Sequence, residues 1–411
     1  MTRMACLLRA GPFQARRPGM LPWLAFVLSL SLLVVLARWN LWGAMIVGAL
    51  ALGGLTLSPT ELGGAFLSVW MSPSVLLLAL AMTLIPLIGG ALIASGRMED
   101  LLAGLPRGRR AVYALAPAIL GMLPMPGGAL LSSPLVERAG GSPPEVRAAA
   151  NVWFRHTLHP IYPLSPALIT GAALAGLDVW GILPYQVPTV ILLVIGGYLA
   201  LLRAVSGRMD LTAARSRWGG ALALGILLAA PFLDLVLKRM APLPMPEIAT
   251  VVGIAVSLTL ALAGRAPRPF FLSLLRRERP WRFGLIVIGV FTYLAVFQRS
   301  TLPTRIAALS LPPAALCVGV GWLFGFATGR QQAAVSLVIP IYIGSYGAMA
   351  PWAFATTYLA SYLGYLLSPL HPCLTVSAEY AGVPLGSVWR RLLVPSLLAL
   401  LITAASSLLI L

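Results

Sequence analysis

Proline and glycine interrupt the apolar stretches of this chain at matching places in its two halves. Pro124-Met125-Pro126-Gly127-Gly128 is followed by Leu164-Ser165-Pro166, and Thr328-Gly329-Arg330 is followed by Leu367-Ser368-Pro369. Gly127 lies 38 residues before Ser165 and Gly329 lies 39 before Ser368, an offset of about 202 in a chain of 411. Helix breaks at corresponding positions of two apolar halves are the pattern of secondary transporters, whose sites lie between the breaks.

The breaks carry this meaning because the rest of the chain reads as membrane. The chain is 59% hydrophobic and 10% charged, with mean hydropathy +0.92. Soluble domains carry roughly 25% charged residues. Apolar runs long enough for roughly 30 Å of hydrocarbon appear at 21–37, 41–57, 73–95, 182–202, 219–238, 245–263, 282–298 and 392–411. Two further crossings, 148–178 and 349–376, are interrupted by Ser-Pro. In 111–136 the Pro-Gly break leaves arms of about twelve residues, about 18 Å each at 1.5 Å per residue. Such arms predict a re-entrant hairpin, tolerated only inside protein or beside water. Pro312-Pro313 and Pro340 predict a second hairpin over 304–346.

The predicted fold is therefore an all-α membrane protein with two inverted-topology repeats. Each repeat holds about five transmembrane crossings, one re-entrant hairpin and a broken helix. Residues 1–20 form an N-terminal tail, 21–203 the first repeat, 204–218 a cytoplasmic linker and 219–411 the second repeat. An odd number of crossings per repeat requires the inversion. Charge supports it: the predicted inner loops hold nineteen basic residues and the outer loops with the tail hold eight. The basic tail is the exception, and Met20 directly before the first apolar run suggests a start there. The net charge of +18 belongs to these loops; no basic run is interleaved with aromatics, so no nucleic-acid partner is expected. Cys6, Cys317 and Cys373 are scattered and imply neither a disulfide framework nor a metal cluster.

Two arginines, Arg155 and Arg330, stay within the membrane segments. Each would cost at least about 2.5–3.5 kcal/mol facing lipid, so each is expected to face the protein interior. The functional reading is an anion site, with guanidinium forks and half-helix N-termini meeting oxyanion oxygens. Asn151, Arg155 and His159 share a helical face if Pro160 ends that helix. All three histidines, His156, His159 and His371, fall in broken crossings, where they are candidates for pH linkage. No carboxylate or cysteine stands at ligand spacing beside the histidine pair, so no metal site is expected. Glu379 is the carboxylate best placed to partner a cation or proton. Ser132, Ser165, Thr328 and Ser368 offer oxygens at the breaks, where sodium could also be held.

At these residues the chain resembles a family of uncharacterised prokaryotic integral membrane proteins. Leu123-Pro-Met-Pro-Gly-Gly-Ala-Leu-Leu-Ser-Ser-Pro134 is similar to that family's first hairpin. Gly325-Phe-Ala-Thr-Gly329, Tyr365-Leu-Leu-Ser-Pro-Leu-His371 and Glu379-Tyr380 are similar to its second-half signatures. The family is grouped with the ion transporter superfamily of dicarboxylate, citrate, gluconate and arsenite permeases. The resemblance implies inverted repeats, a homodimeric scaffold and elevator-type movement. Dicarboxylate members carry Ser-Asn-Thr at their hairpin tips, whereas the tips here are Met-Pro-Gly-Gly and Thr-Gly-Arg-Gln. Substrate and coupling ion therefore do not carry over.

These observations predict a multi-pass transporter of the cytoplasmic membrane that moves a small anion, coupled to Na+ or H+, with no other cofactor. The expected substrate-binding residues are Pro126, Gly127, Gly128, Ser132, Asn151, Arg155, Ser165, Thr328, Gly329, Arg330, Gln331 and Ser368. His156, His159, His371 and Glu379 are the coupling candidates. Two rivals are a translocator of anionic lipid or polyprenyl phosphate, and an intramembrane enzyme using His156, His159 and Ser165. The enzyme reading lacks an aspartyl pair, HExxH or GxSxG.

Overall fold

The computed structural model describes residues 20–37, 39–106, 108–122, 129–208, 218–240, 243–263, 273, 275–276, 279–309 and 311–411. The first hairpin tip with Pro126, Gly127 and Gly128, residues 1–19 of the tail and 209–217 of the linker lie outside the described residues.

The described chain is helical, with one isolated bridge between Gly108 and Arg208. The first half runs α1 (Leu21–Leu36), α2 (Leu41–Thr56), α3 (Pro59–Trp70), α4 (Pro73–Ala94), α5 (Arg97–Ala103), α6 (Arg109–Gly121), α7 (Ala129–Ala139), α8 (Pro144–Thr157), α9 (Pro166–Ala175) and α10 (Val179–Gly197). A π-helical turn, Tyr198–Leu202, extends α10. The second half runs α11 (Gly219–Met240), α12 (Glu247–Leu262), α13 (Trp281–Arg299), α14 (Leu302–Ala307), α15 (Gly321–Thr328, entered through a π turn at Ala315–Val320), α16 (Gln331–Tyr346), α17 (Pro351–Leu367), α18 (Pro372–Tyr380) and α19 (Leu385–Ile410).

Five of these helices are long and apolar enough to cross a membrane: α4, α10 with its π turn, α11, α13 and α19. The chain is thus a multi-pass membrane protein. Helices α1, α2 and α12 are apolar but 16 residues each, about 24 Å at 1.5 Å per residue. They fall short of the roughly twenty residues of an untilted span.

Three local features depart from the sequence expectation. The stretch between the second and third apolar runs, to which the sequence assigned no element, forms helix α3, opened by a Ser58–Glu61 capping box. Ser58 N–H donates to Glu61 Oε2 at 2.8 Å, and Glu61 N–H donates to Ser58 Oγ at 3.4 Å. The predicted inner loop after α4 contains the short helix α5. In the second hairpin, Pro340 does not end an arm: α16 runs through it for 16 residues. The hairpin proper begins after Pro313, and α14 is a separate helix ahead of it.

Packing pairs the halves. Helix α1 lies on α2 and α11 on α12, while α2 packs against α13 and α12 against α4. Likewise α6 lies on α8 and α15 on α17, while α9 packs against α16 and α7 against α18. Glycines set the closest crossings. A Cβ at Gly121 would lie 1.6 Å from Arg155 O, one at Gly325 2.1 Å from Ser361 O and one at Gly364 2.0 Å from Trp322 O. Small residues that let backbones touch are the means by which membrane helices associate without a hydrophobic driving force. The interior forms two buried clusters, one built mainly from α1, α2, α4, α9, α11–α13 and α16, the other from α6–α8 and α17–α19. Helix α17 joins them: Tyr358 belongs to the first and Tyr362, one turn on, to the second.

Candidate functional site

Both broken helices stop and restart at proline. Helix α8 ends at Thr157, and Leu158–Ser165 turn without helical structure before Pro166 opens α9. Helix α17 ends at Leu367, and Ser368–His371 intervene before Pro372 opens α18. The residue before each proline is driven into the extended region, Ser165 with ψ 125° and His371 with ψ 112°. The matched Ser-Pro steps are therefore not equivalent. Ser165-Pro166 begins a half-helix, whereas Ser368-Pro369 ends one and His371-Pro372 begins the next. His159 lies in the first of these turns, beyond the end of α8, so it does not continue the face of Asn151 and Arg155.

The breaks bring all three histidines into one group. The His156 ring lies 4.9 Å from that of His159 and 5.0 Å from that of His371, centroid to centroid. Tyr365 stands between them, its ring 4.0 Å from His371, and its hydroxyl lies 3.1 Å from His156 Nε2. Cys373 Sγ is 3.8 Å from the same nitrogen. Each imidazole also faces a backbone carbonyl: His156 Nδ1 meets Val152 O at 3.0 Å, His159 Nε2 meets Gly121 O at 2.7 Å and His371 Nδ1 meets Leu366 O at 3.5 Å. A carbonyl oxygen only accepts, so the nitrogen facing it carries the proton. The other ring nitrogen of each neutral imidazole presents a lone pair. That of His371, Nε2, is buried and has no partner among the described residues.

Both membrane arginines act electrostatically on this group. Arg155 is 4% exposed and lies beside the Cys373 sulfur. Arg330 occupies the tip of the second hairpin as the N-cap of α16. Its guanidinium makes no hydrogen bond or ion pair to a described residue, and it faces Tyr365 and Arg282 electrostatically. Tyr365 feels both Arg155 and Arg330. The tip is built by Gly329 and Thr328. Gly329 adopts φ +60°, the left-handed region, and a Cβ there would lie 2.6 Å from Leu370 Cβ in the facing break. Thr328 Oγ1 donates to Phe324 O at 2.6 Å and accepts Arg330 N–H at 3.3 Å, which closes the turn.

The remaining expected residues tie elements together. Asn151 Nδ2 donates to Ser133 Oγ and Ser377 Oγ, each at 2.9 Å, joining α8 to α7 and α18. Asn151 Oδ1 is buried without a described partner. Ser132 Oγ donates to Ala129 O at 3.3 Å. Ser165 Oγ lies 3.3 Å from the Tyr358 hydroxyl, and Gln331 Nε2 donates to Tyr358 O at 3.3 Å. Ser368 Oγ accepts Leu370 N–H at 3.2 Å and holds the second break. Glu379 is exposed near the end of α18, outside the histidine group. Tyr365 and Cys373 join the group although the sequence reading assigned neither a role; their i, i+8 separation across a proline gave no helical-face signal.

The comparisons with known proteins agree with this architecture. A family model described as a protein of unknown function, DUF401, matches residues 24–410. The crystal structure of the Alcanivorax borkumensis YdaH transporter, described as having an unusual topology, is similar at 18% identity. It covers 94% of this chain and 97% of its own, with TM-score 0.59. That likeness is one of fold. No curated protein matches. The chain belongs to the DUF401 family.

Proposed function

We propose that the chain is a secondary transporter of the cytoplasmic membrane that carries a small anion by alternating access between two inverted repeats. One observation carries the reading. The two halves bring Arg155 and Arg330, the arginines of the membrane interior, within electrostatic range of Tyr365, and the Arg330 guanidinium has no hydrogen-bond or ion-pair partner among the described residues. A partly buried guanidinium without a counter-charge is costly, and an oxyanion accepting its forked donors offsets that cost. The N-termini of α9 and α18 at the two breaks add partial positive charge.

The repeat reading rests on the shared order of helices in 21–202 and 219–410 and on their exchanged packing, α2 on α13 with α12 on α4, and α9 on α16 with α7 on α18. Sodium would be met by the Asn151 Oδ1, which has no partner among the described residues, and protons by the lone-pair nitrogens of the histidines. The superfamily of dicarboxylate, citrate, gluconate and arsenite permeases remains a kinship of resemblance, and a homodimeric scaffold belongs to the same proposal.

Thermal stability of the purified protein against a panel of organic and inorganic anions, with sodium and pH varied, tests the site. A bound ligand raises stability by RT ln(1 + [L]/Kd), about 2.7 kcal/mol at a hundredfold excess over Kd. An anion-specific shift absent from Arg330→Gln is the expected result. A shift of equal size in that variant removes the site, and a shift with phospholipid or polyprenyl phosphate alone moves the substrate from water to the bilayer.

A further inference from the structure

The histidine group has a second chemical property that anion transport does not use. His156 Nε2, His371 Nε2 or Nδ1, and Cys373 Sγ all offer ligand atoms within 4.8 Å of one another. For a tetrahedral ion with bonds of about 2.0–2.1 Å to nitrogen and 2.3 Å to sulfur, the N···S edge is about 3.6 Å. The observed His156 Nε2···Cys373 Sγ distance is 3.8 Å. That edge needs to close by about 0.2 Å, and the widest ligand pair, at up to 4.8 Å, by roughly an ångström through side-chain rotation.

The backbone has already set the tautomers. Because Val152 O takes the Nδ1 proton of His156, its Nε2 faces Cys373 with a lone pair, and Leu366 O, 3.5 Å from His371 Nδ1, favours the same tautomer in His371. A metal-bound imidazole has this arrangement, with the ligating nitrogen bare and the other N–H held by a carbonyl. His371 Nε2 is also a buried polar atom with no partner among the described residues. Buried polar atoms are ordinarily satisfied, so a missing partner needs a physical account.

We propose that His156, His371 and Cys373 form a binding site for a thiophilic d10 metal ion, copper(I) or zinc(II). The ligand set selects this class: one sulfur with two imidazoles, and no carboxylate or carbonyl of the kind that holds magnesium or calcium. Binding converts the Cys373 thiol to a thiolate, releasing one proton, while both imidazoles remain neutral. Copper(I) and a thiolate together are neutral, whereas zinc(II) and a thiolate retain one positive charge beside Arg155. Burial therefore favours the monovalent ion. The two breaks make the site jointly, since His156 comes from α8 and the other two ligands from the start of α18. Occupancy would thus tie the two halves together. The inference is independent of the anion reading, because it uses neither Arg330 nor a transported substrate.

The test is metal titration of the untagged, detergent-purified protein. Copper(I) would be titrated anaerobically against a chromophoric chelator, and zinc(II) against a chelating dye. The expected result is uptake of one equivalent of at least one ion per chain. Affinity should fall about a hundredfold or more in both Cys373→Ser and His371→Ala, since losing a ligand costs at least as much as losing its supporting hydrogen bond. Arg330→Gln should bind the metal as the parent does, which separates failure here from failure of the anion site. A metal should also protect Cys373 from maleimide labelling in the unmutated chain, a readout that does not depend on the variants folding. The proposal is overturned if neither ion is taken up stoichiometrically, if uptake is unchanged in the two ligand variants, or if bound metal leaves Cys373 labelling untouched.

Discussion

The two broken helices use the same backbone device for different cargo. In the first, eight residues separate α8 from α9, and Arg155, His156 and His159 crowd its entry. In the second, four residues separate α17 from α18, and the polar groups Tyr365, His371 and Cys373 straddle the break. The longer turn lets His159 fold back onto Gly121 O, whereas the shorter one is held by its own Ser368 hydroxyl. Both turns close on their own backbone; the first adds a side-chain tie to a neighbouring hairpin arm and the second one within itself.

The largest expected effects break this comparison at the crossings beneath each turn. Gly364→Ala would place a Cβ 2.0 Å from Trp322 O and Gly121→Ala one 1.6 Å from Arg155 O, both against backbone that cannot swing away. Overpacking of this kind costs about 1–3 kcal/mol and more when backbone must move. Each variant should show a sharply reduced yield of monodisperse protein by size exclusion. Gly63→Ala, which meets nothing within 4 Å, should behave as the parent.

A smaller effect separates the two supports. His159→Ala removes the donor to Gly121 O and leaves that carbonyl unsatisfied, at about 1–3 kcal/mol. Ser368→Ala frees the Leu370 N–H, a neutral bond whose net contribution is about 0.5–1.5 kcal/mol. Thermal unfolding should therefore fall further for His159→Ala. The reverse order would mean that the tie to the hairpin arm is the weaker of the two. Smallest of all, Ser58→Ala opens the capping box of α3 and should cost about 1 kcal/mol. Helix α3 packs on α2, α4 and α13 rather than on the broken helices, so ligand-induced stabilisation should be unchanged.

Much of this architecture was legible because proline, glycine and arginine within an apolar segment act locally in a membrane. The apolar runs marked α4, α10, α11, α13 and α19, and the cost of an arginine in lipid pointed to Arg155 and Arg330. The short helices were less visible. Capping by Ser58 and Glu61 opens α3 in a stretch to which the apolar runs assigned no element. Pro340 was misleading because an internal proline removes one hydrogen bond without stopping a buried membrane helix. The Ser-Pro coincidence pointed to the right regions with the wrong equivalence, since Pro372 rather than Pro369 restarts the helix. The meeting of His156 with His371 and Cys373 was beyond the sequence, because it depends on packing between segments more than 200 residues apart.

Flux through proteoliposomes is the most direct test of the central claim, that both halves hold one anion at Arg155 and Arg330. Reconstituted protein would be loaded with the anion that stabilises it, and exchange of labelled anion would be followed for the parent chain and Arg330→Gln at equal incorporation. The account predicts saturable exchange by the parent and none above empty vesicles for the variant. Equal exchange by both proteins would contradict it.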